Sequence, residues 1–376
     1  MQFRDLHKQY QTIKPAVDKA LLDAIDSGAF IMGKPVKELE ASLAGYVGVK
    51  HCIGCGNGTD ALTLALKAWN IGPGDAVFVP DFTFFASAEV ISLEGATPVF
   101  VDVDADTFNM DPTCLKSAIE KTIKDGQLVP KVIITVDLFG LPANYPAIRA
   151  VADRHRLLIL EDGAQGFGGS INGKRACSFG DISTTSFFPA KPLGCYGDGG
   201  AVFTDNDEWA AIIDSLRVHG KGSFKYDNVR IGMNSRLDTI QAAILLPKLE
   251  AFKLYELDRV NEAARLYSAK LNGVVKTPFI PEEYYSSWAQ YTITLRSREE
   301  RDGLQAHLKE RGIPSMVYYP KPMREQTAYK DLKGQQGNCP VTEMLCNSVL
   351  SLPLHPYLEE SDIDLVCKEI RVFVEK

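Results

Sequence analysis

Two periods of hydrophobic residues alternate through the first two-thirds of this chain. Short β-rich apolar runs predict strands at 76–80, 97–103, 131–138, 157–162, 182–188 and 200–205. Between them, apolar residues recur at helical spacing over 59–69, 114–123, 145–155 and 207–218. Such alternation predicts an α/β fold in which helices cover a sheet. A longer helical pattern starts near Leu237 and turns strongly charged in its second half, and Pro247 is expected to kink it. Beyond it the pattern predicts a smaller α+β unit, with a strand at 291–297, a helix at 299–312, the run SMVYY at 315–319 and a terminal helix near 361–375. The expected division is a large α/β domain with an N-terminal arm over residues 1–250 and a small α+β domain over 251–376.

Composition narrows the class. Of 376 residues, 45% are apolar and 24% charged, the balance of a soluble globular enzyme. Charges appear from residue 4 onward, so no signal peptide is expected, and the apolar run at 242–246 is far short of a membrane span. A cytoplasmic protein is expected. The net charge of −7 exerts no general pull on nucleic acid or anionic membrane, so local cations must hold any anionic substrate. The eight cysteines are scattered. Cys52 and Cys55 have C-x-x-C spacing, but a metal site would need a second pair, and Cys339 and Cys346 are wrongly spaced. No metal is expected, and CIGC reads as small buried residues packing a tight turn.

Ligands of open α/β sheets bind beyond the carboxyl ends of the strands, and three such segments carry chemistry. In GCGNGTDAL (54–62) a glycine-rich turn enters a helix, aiming backbone N–H groups at an anion such as phosphate; capping by Thr59 or Asp60 explains the pattern equally well. In LLILEDGAQ (157–165) Asp162 ends an apolar strand, where a carboxylate needs a cationic partner, and Gln165 offers a donor and an acceptor to the same place. In TSFFPAKPLGCYGDGG (185–200) Lys191 stands without a neighbouring charge, five residues after Ser186. Alone, a loop lysine is usually solvated; in an apolar, glycine-lined pocket its pKa falls and the free amine becomes a nucleophile and base. Together, an anion-binding helix start, an acid 29 residues before a lysine, and an aromatic after a strand (Phe84) are the parts of a pyridoxal 5′-phosphate (PLP) site.

These motifs, with DLHKQY, PDFTFFASAEV, GMNSRLDTIQAAILLPKLE and SLPLHPYL, make the whole chain resemble the DegT/DnrJ/StrS family of sugar aminotransferases. The resemblance implies the fold type I architecture of PLP-dependent transferases. It also implies Lys191 as the lysine that carries the cofactor and shuttles protons, Asp162 on its pyridine nitrogen, Gln165 near its phenolic oxygen and Phe84 stacked on its ring. Gly58, Thr59 and Ser186 would hold the phosphate, joined by Asn234 from the partner subunit of a homodimer with shared active sites. Arg236 is the implied substrate contact. Pyridoxamine 5′-phosphate would be the aminated form. The wording is most similar to the branch that aminates UDP-2-acetamido-2-deoxy-3-keto-hexuronic acid, with glutamate as donor and 2-oxoglutarate as product, for surface polysaccharide synthesis.

The chain departs from the family pattern where Tyr318-Tyr319 replaces a common His-Tyr beside the sugar site, so the resemblance bears on the cofactor more firmly than on the sugar. In the loop 217–230, some of Arg217, His219, Lys221, Lys225 and Arg230 are expected to meet the nucleotide diphosphate. Rival readings are an aminotransferase for another dTDP- or GDP-linked keto-deoxy sugar, a 3-dehydratase, which would carry histidine in place of Lys191, and a PLP-binding regulatory protein without chemistry. No constellation in the chain supports nucleic-acid or membrane binding.

Overall fold

The computed structural model describes residues 1–224, 226–332 and 337–375. The chain begins with α1 (Leu6–Asp26) and α2 (Lys34–Val47), followed by β1 (His51–Cys55), α3 (Gly58–Ala68), β2 (Asp75–Pro80), α4 (Ala86–Leu93) and β3 (Thr97–Val101). It continues through α5 (Pro112–Asp125), β4 (Val129–Val136), α6 (Tyr145–His155), β5 (Leu158–Asp162), β6 (Ser170–Ile171), β7 (Lys174–Arg175), β8 (Ile182–Ser186) and β9 (Gly200–Thr204). Then come α7 (Asp207–Leu216), α8 (Thr239–Ala251), α9 (Leu257–Leu271), β10 (Tyr284–Tyr285), β11 (Tyr291–Thr294) and α10 (Arg298–Glu310). Last are α11 (Pro340–Ser348), β12 (Val349–Leu352) and α12 (Glu360–Val374).

Seven strands form the main sheet in the order β1-β9-β8-β5-β4-β2-β3. From β3 to β8 the pairings are parallel, and β9 runs antiparallel to both β8 and β1. The pleat sorts side chains onto two covered faces. Val77 and Val79 meet Leu62 and Ala65 of α3, while Ala76 and Phe78 meet Leu115 and Ile119 of α5 and Ile148 of α6. Burial on both faces is why these strands read as unbroken apolar runs.

One expectation changes. CIGC is not a tight turn: it lies in the edge strand β1, with Cys52 opposite Phe203 and Cys55 opposite Gly200. Only Ile53 in that segment carries a β preference, and the pairing is supplied by β9, remote in sequence. Both thiols are buried, and burial pushes Cys55 up to about 12, so neither is a ready thiolate. Among the described residues no cluster could hold a metal ion. The long helix runs through Pro247, which lies inside α8, and its irregularity is a π segment at 252–256, after which α9 continues. The extra residue in that turn reorients the helix, and Val260, Ala264 and Tyr267 join the core formed with β11, β12 and α12.

The C-terminal strands β11 and β12 pair antiparallel, and SMVYY adds one bridge, Met316 to Ser351, rather than a full strand. Asp102, just beyond β3, accepts hydrogen bonds from the Val341 and Thr342 N–H groups at the start of α11. Arg324 is ion-paired with the buried Asp81, just beyond β2. These links hold Tyr318 and Tyr319, joined by a cis peptide, against Phe82, Val136 and Phe139 at the carboxyl end of the sheet. Among the described residues no helix is long and apolar enough to cross a membrane.

Candidate active site

The carboxyl ends of β1 and β8 meet at the start of α3. Asn57, rather than Thr59 or Asp60, caps that helix, its side chain accepting the Asp60 N–H at 2.8 Å. The N–H groups of Gly58 and Thr59 then fall among those a helix start leaves without an intrahelical partner, and they carry the positive end of the helix dipole. A Cβ at position 58 would lie 2.7 Å from Cβ of Ser186, so glycine is what lets these two segments close together. Ser186 Oγ accepts the Phe188 N–H at 3.2 Å, leaving its own proton to donate.

At the end of β5, Asp162 is buried and accepts from Ser87 Oγ at 2.7 Å and from the Ala164 N–H at 3.2 Å. Burial raises its pKa, outweighing those bonds and the nearby Lys191. A cation seated against a carboxylate acts in the opposite sense, so Asp162 is built to receive one. Gln165 is fixed from two sides. Its Oε1 accepts the Phe139 N–H at 2.9 Å, and its Nε2 donates to the Tyr319 hydroxyl at 3.2 Å. The turn that carries Phe139 is itself pinned by Asp137, which accepts from the Ala143 N–H and the Tyr145 hydroxyl.

Lys191 sits in a turn closed by its own N–H to the Phe188 carbonyl at 2.8 Å. Its Nζ lies 6.0 Å from the centroid of the Phe84 ring. Burial lowers the pKa of this amine; Asp162 opposes the shift and Arg4 adds to it. Phe84, 52% exposed, and the half-buried Tyr319 have ring centroids 6.3 Å apart. The arrangement is a cleft with an anion-binding helix start and a hydroxyl at Gly58, Thr59 and Ser186, and a carboxylate wanting a cation. An open aromatic face and a desolvated amine complete it. This donor set fits pyridoxal 5′-phosphate.

The model of the DegT/DnrJ/EryC1/StrS aminotransferase family matches residues 11–371. The chain belongs to that family. UDP-2-acetamido-2-deoxy-3-oxo-D-glucuronate aminotransferase of Pseudomonas aeruginosa is 44% identical over 368 residues, with 98% of each chain covered. A crystal structure of a DegT/DnrJ/EryC1/StrS aminotransferase from Brucella abortus superposes with a TM-score of 0.97 at 51% identity, covering both chains fully. The PLP form of Spr1654 from Streptococcus pneumoniae gives a TM-score of 0.88 at 30% identity, with 96% of each chain covered. This member of the family is therefore a PLP-dependent aminotransferase with the fold type I architecture.

The remaining predicted residues of this aminotransferase are placed differently. Asn234 is exposed, and neither it nor Arg236, half-buried two residues on, has a side-chain partner among the described residues. Between them Ser235 is buried and accepts the Gly56 N–H at 3.0 Å, docking the segment on the glycine turn. Tyr318 is half-buried and meets Phe3 edge-on at 6.3 Å. In the loop 217–230, Arg217 leaves the set of diphosphate candidates. It is buried, paired with Glu40 and Asp214 at 2.6 Å each, and holds the β1 backbone through the Gly54 carbonyl. His219, Lys221 and Arg230 line an open depression of about 810 Å³, and Lys225 lies outside the described residues. Sequence reasoning missed Ser87, the Phe139 N–H and Arg4. Each reaches the site across more than 20 residues of chain, so spacing around Asp162, Gln165 or Lys191 carried no trace of them.

Proposed function

We propose that this enzyme moves an amino group from glutamate to the 3-keto group of a nucleotide sugar, best matched to a UDP-2-acetamido-2-deoxy-3-keto-hexuronate. The setting is surface polysaccharide biosynthesis in the cytoplasm. The observation that carries the chemistry is the desolvated Lys191 amine beside the Phe84 ring and under the field of Asp162. The P. aeruginosa relative supports the sugar, since its name specifies a 3-oxo-glucuronate acceptor.

Residues 1–250 would bind the cofactor and 251–376 would cover the cleft. Gly58, Thr59 and Ser186 hold the phosphate; Asp162 faces the ring nitrogen, Gln165 the phenolic oxygen and Phe84 the ring. When bound, the cofactor supplies an electron sink for the carbon that loses its proton. Lys191 Nζ, whose pKa is lowered by burial, takes the α-proton of glutamate; in the second half-reaction, after 2-oxoglutarate has left, it returns a proton to C3 of the sugar. Arg236, Tyr318 and Tyr319 contact substrate.

A homodimer with shared sites is part of this reading. Phe224, Tyr226, Val229 and Ile231 are exposed in one loop, and Asn234 follows it closely. A second copy covering that loop would bring Asn234 to a phosphate across the interface.

The test is purification with the cofactor and exposure to glutamate. The visible band should bleach and, once 2-oxoglutarate has been removed, return on addition of an accepted keto sugar. Lys191→Ala should lose the band and lower turnover by on the order of 10³-fold or more. Full activity in that variant, or a wild-type protein blind to glutamate, would refute the assignment. A panel of UDP-, dTDP- and GDP-linked keto sugars, with and without a 6-carboxylate, decides between the uronate and the neutral alternative.

A further inference from the structure

The N-terminal arm brings a cation into the cleft. Arg4 Nη2 donates to the main-chain carbonyl of Lys191 at 3.0 Å, fixing the guanidinium on the loop that bears the catalytic amine. Its neighbour Phe3 lies against Tyr318. The arm thus spans from the lysine loop to the tyrosine segment, two walls of one cleft.

The charge around Arg4 is unbalanced. Lys191, Lys248 and His355 all feel its positive field, and Lys248 is only 1% exposed. Among the described residues Glu256 is the carboxylate that offsets Arg4, and it already accepts from the Tyr357 hydroxyl at 2.5 Å and from Gln9 Nε2 at 2.9 Å. Among the described residues Arg4 has no ion pair, and burial lowers its pKa to about 10. Arg4 is half-buried; a guanidinium partly withdrawn from water without a carboxylate is costly, whereas an anionic ligand arriving on its remaining donors offsets that cost. Its planar fork matches a carboxylate.

We propose that Arg4 receives a substrate carboxylate beside Lys191. This inference rests on the aminotransferase reading. The α-carboxylate of glutamate is one bond from the carbon that would yield its proton to Lys191, which makes it the fitting anion for a guanidinium held on the lysine loop. The 6-carboxylate of a hexuronate is the other source of the same chemistry.

Single-turnover absorbance on the holoenzyme separates the glutamate half from the sugar half. Arg4→Gln keeps a donor for the Lys191 carbonyl but removes the charge, and Arg4→Lys restores the charge. Arg4→Gln should weaken glutamate binding by on the order of 10- to 100-fold, with the visible band unchanged and most of the loss recovered in Arg4→Lys. If the weakening falls instead on the hexuronate half and vanishes for a neutral sugar, the proposal holds with the sugar as the source. An Arg4→Gln enzyme within about two-fold of wild type in both halves overturns it. So does equal weakening toward charged and neutral sugars with the glutamate half intact. Wild-type protein that ignores glutamate would remove the aminotransferase reading and this inference with it, whereas a variant matching a working wild type removes this inference alone.

Discussion

Single residues in this enzyme are tuned by what surrounds them more than by their sequence neighbours. Lys191 is the clearest instance: nothing adjacent in the chain is charged, yet its amine is set by burial, by Asp162 and by Arg4. His355, in the SLPLHPYL motif, is another. Burial first and Arg4 second lower its pKa to about 4, against 6.5 when free. Below pH 6.5 the unfolded chain therefore takes up a proton that the native state refuses. Stability held above 6.5 should fall as pH drops from about 6.5 to about 4, with no further loss from this residue below that. The contribution is on the order of 3 kcal/mol. Urea unfolding at pH 7.5 and pH 4.5 should show a smaller loss on acidification in His355→Gln than in wild type. An identical loss in the two proteins would dissociate His355 from acid sensitivity.

At the scale of elements, several helices carry their own start signals, and one that does not is informative. Asn57, Asp111, Asn144, Asn206 and Ser297 each cap the helix that follows them. Helix α11 has no side-chain cap of its own at Cys339. Its first N–H groups are satisfied instead by Asp102, which also accepts from Thr342 Oγ1 at 2.9 Å. One carboxylate thus terminates α11 and fastens it to the large sheet. Asp102→Ala should destabilise the protein by about 2 kcal/mol, because two or three donors lose a buried, charged acceptor. A lower urea midpoint with unchanged slope is the expected result, and an unchanged midpoint would mean water replaces the carboxylate. Strands such as β2, β3 and β4 were legible because they are apolar on both faces. β1 was not, since its partner β9 is far away in sequence and its own residues have weak preference. The π segment at 252–256 was not legible either: α8 runs through Pro247, and the irregularity appears where packing turns toward the C-terminal core.

For the molecule as a whole, the proposed dimer is the largest open expectation, and Ile231 offers a direct way in. It is 91% exposed, in a loop with three other exposed apolar side chains. Ile231→Asp should shift the protein toward monomer in sedimentation velocity and weaken cofactor retention, because Asn234 would lose its position across the interface. A variant that remains dimeric with full cofactor would move the interface elsewhere. The sequence by itself determined the fold class and the cofactor chemistry, and it singled out Lys191, Asp162, Gln165, Phe84, Gly58, Thr59 and Ser186 as the residues proposed to hold the cofactor. It could do so because strand period, glycine turns and strand-end residues are local signals, and an α/β sheet places strand ends together by topology. Only the tertiary structure decided that Arg217 braces β1 rather than facing a ligand, that Ser87 holds Asp162, and that Arg4 lies on the lysine loop. Those are contacts between segments remote in the chain, and their energy depends on burial and charge neighbours that exist only once the sheet, the arm and the C-terminal unit have closed on one another.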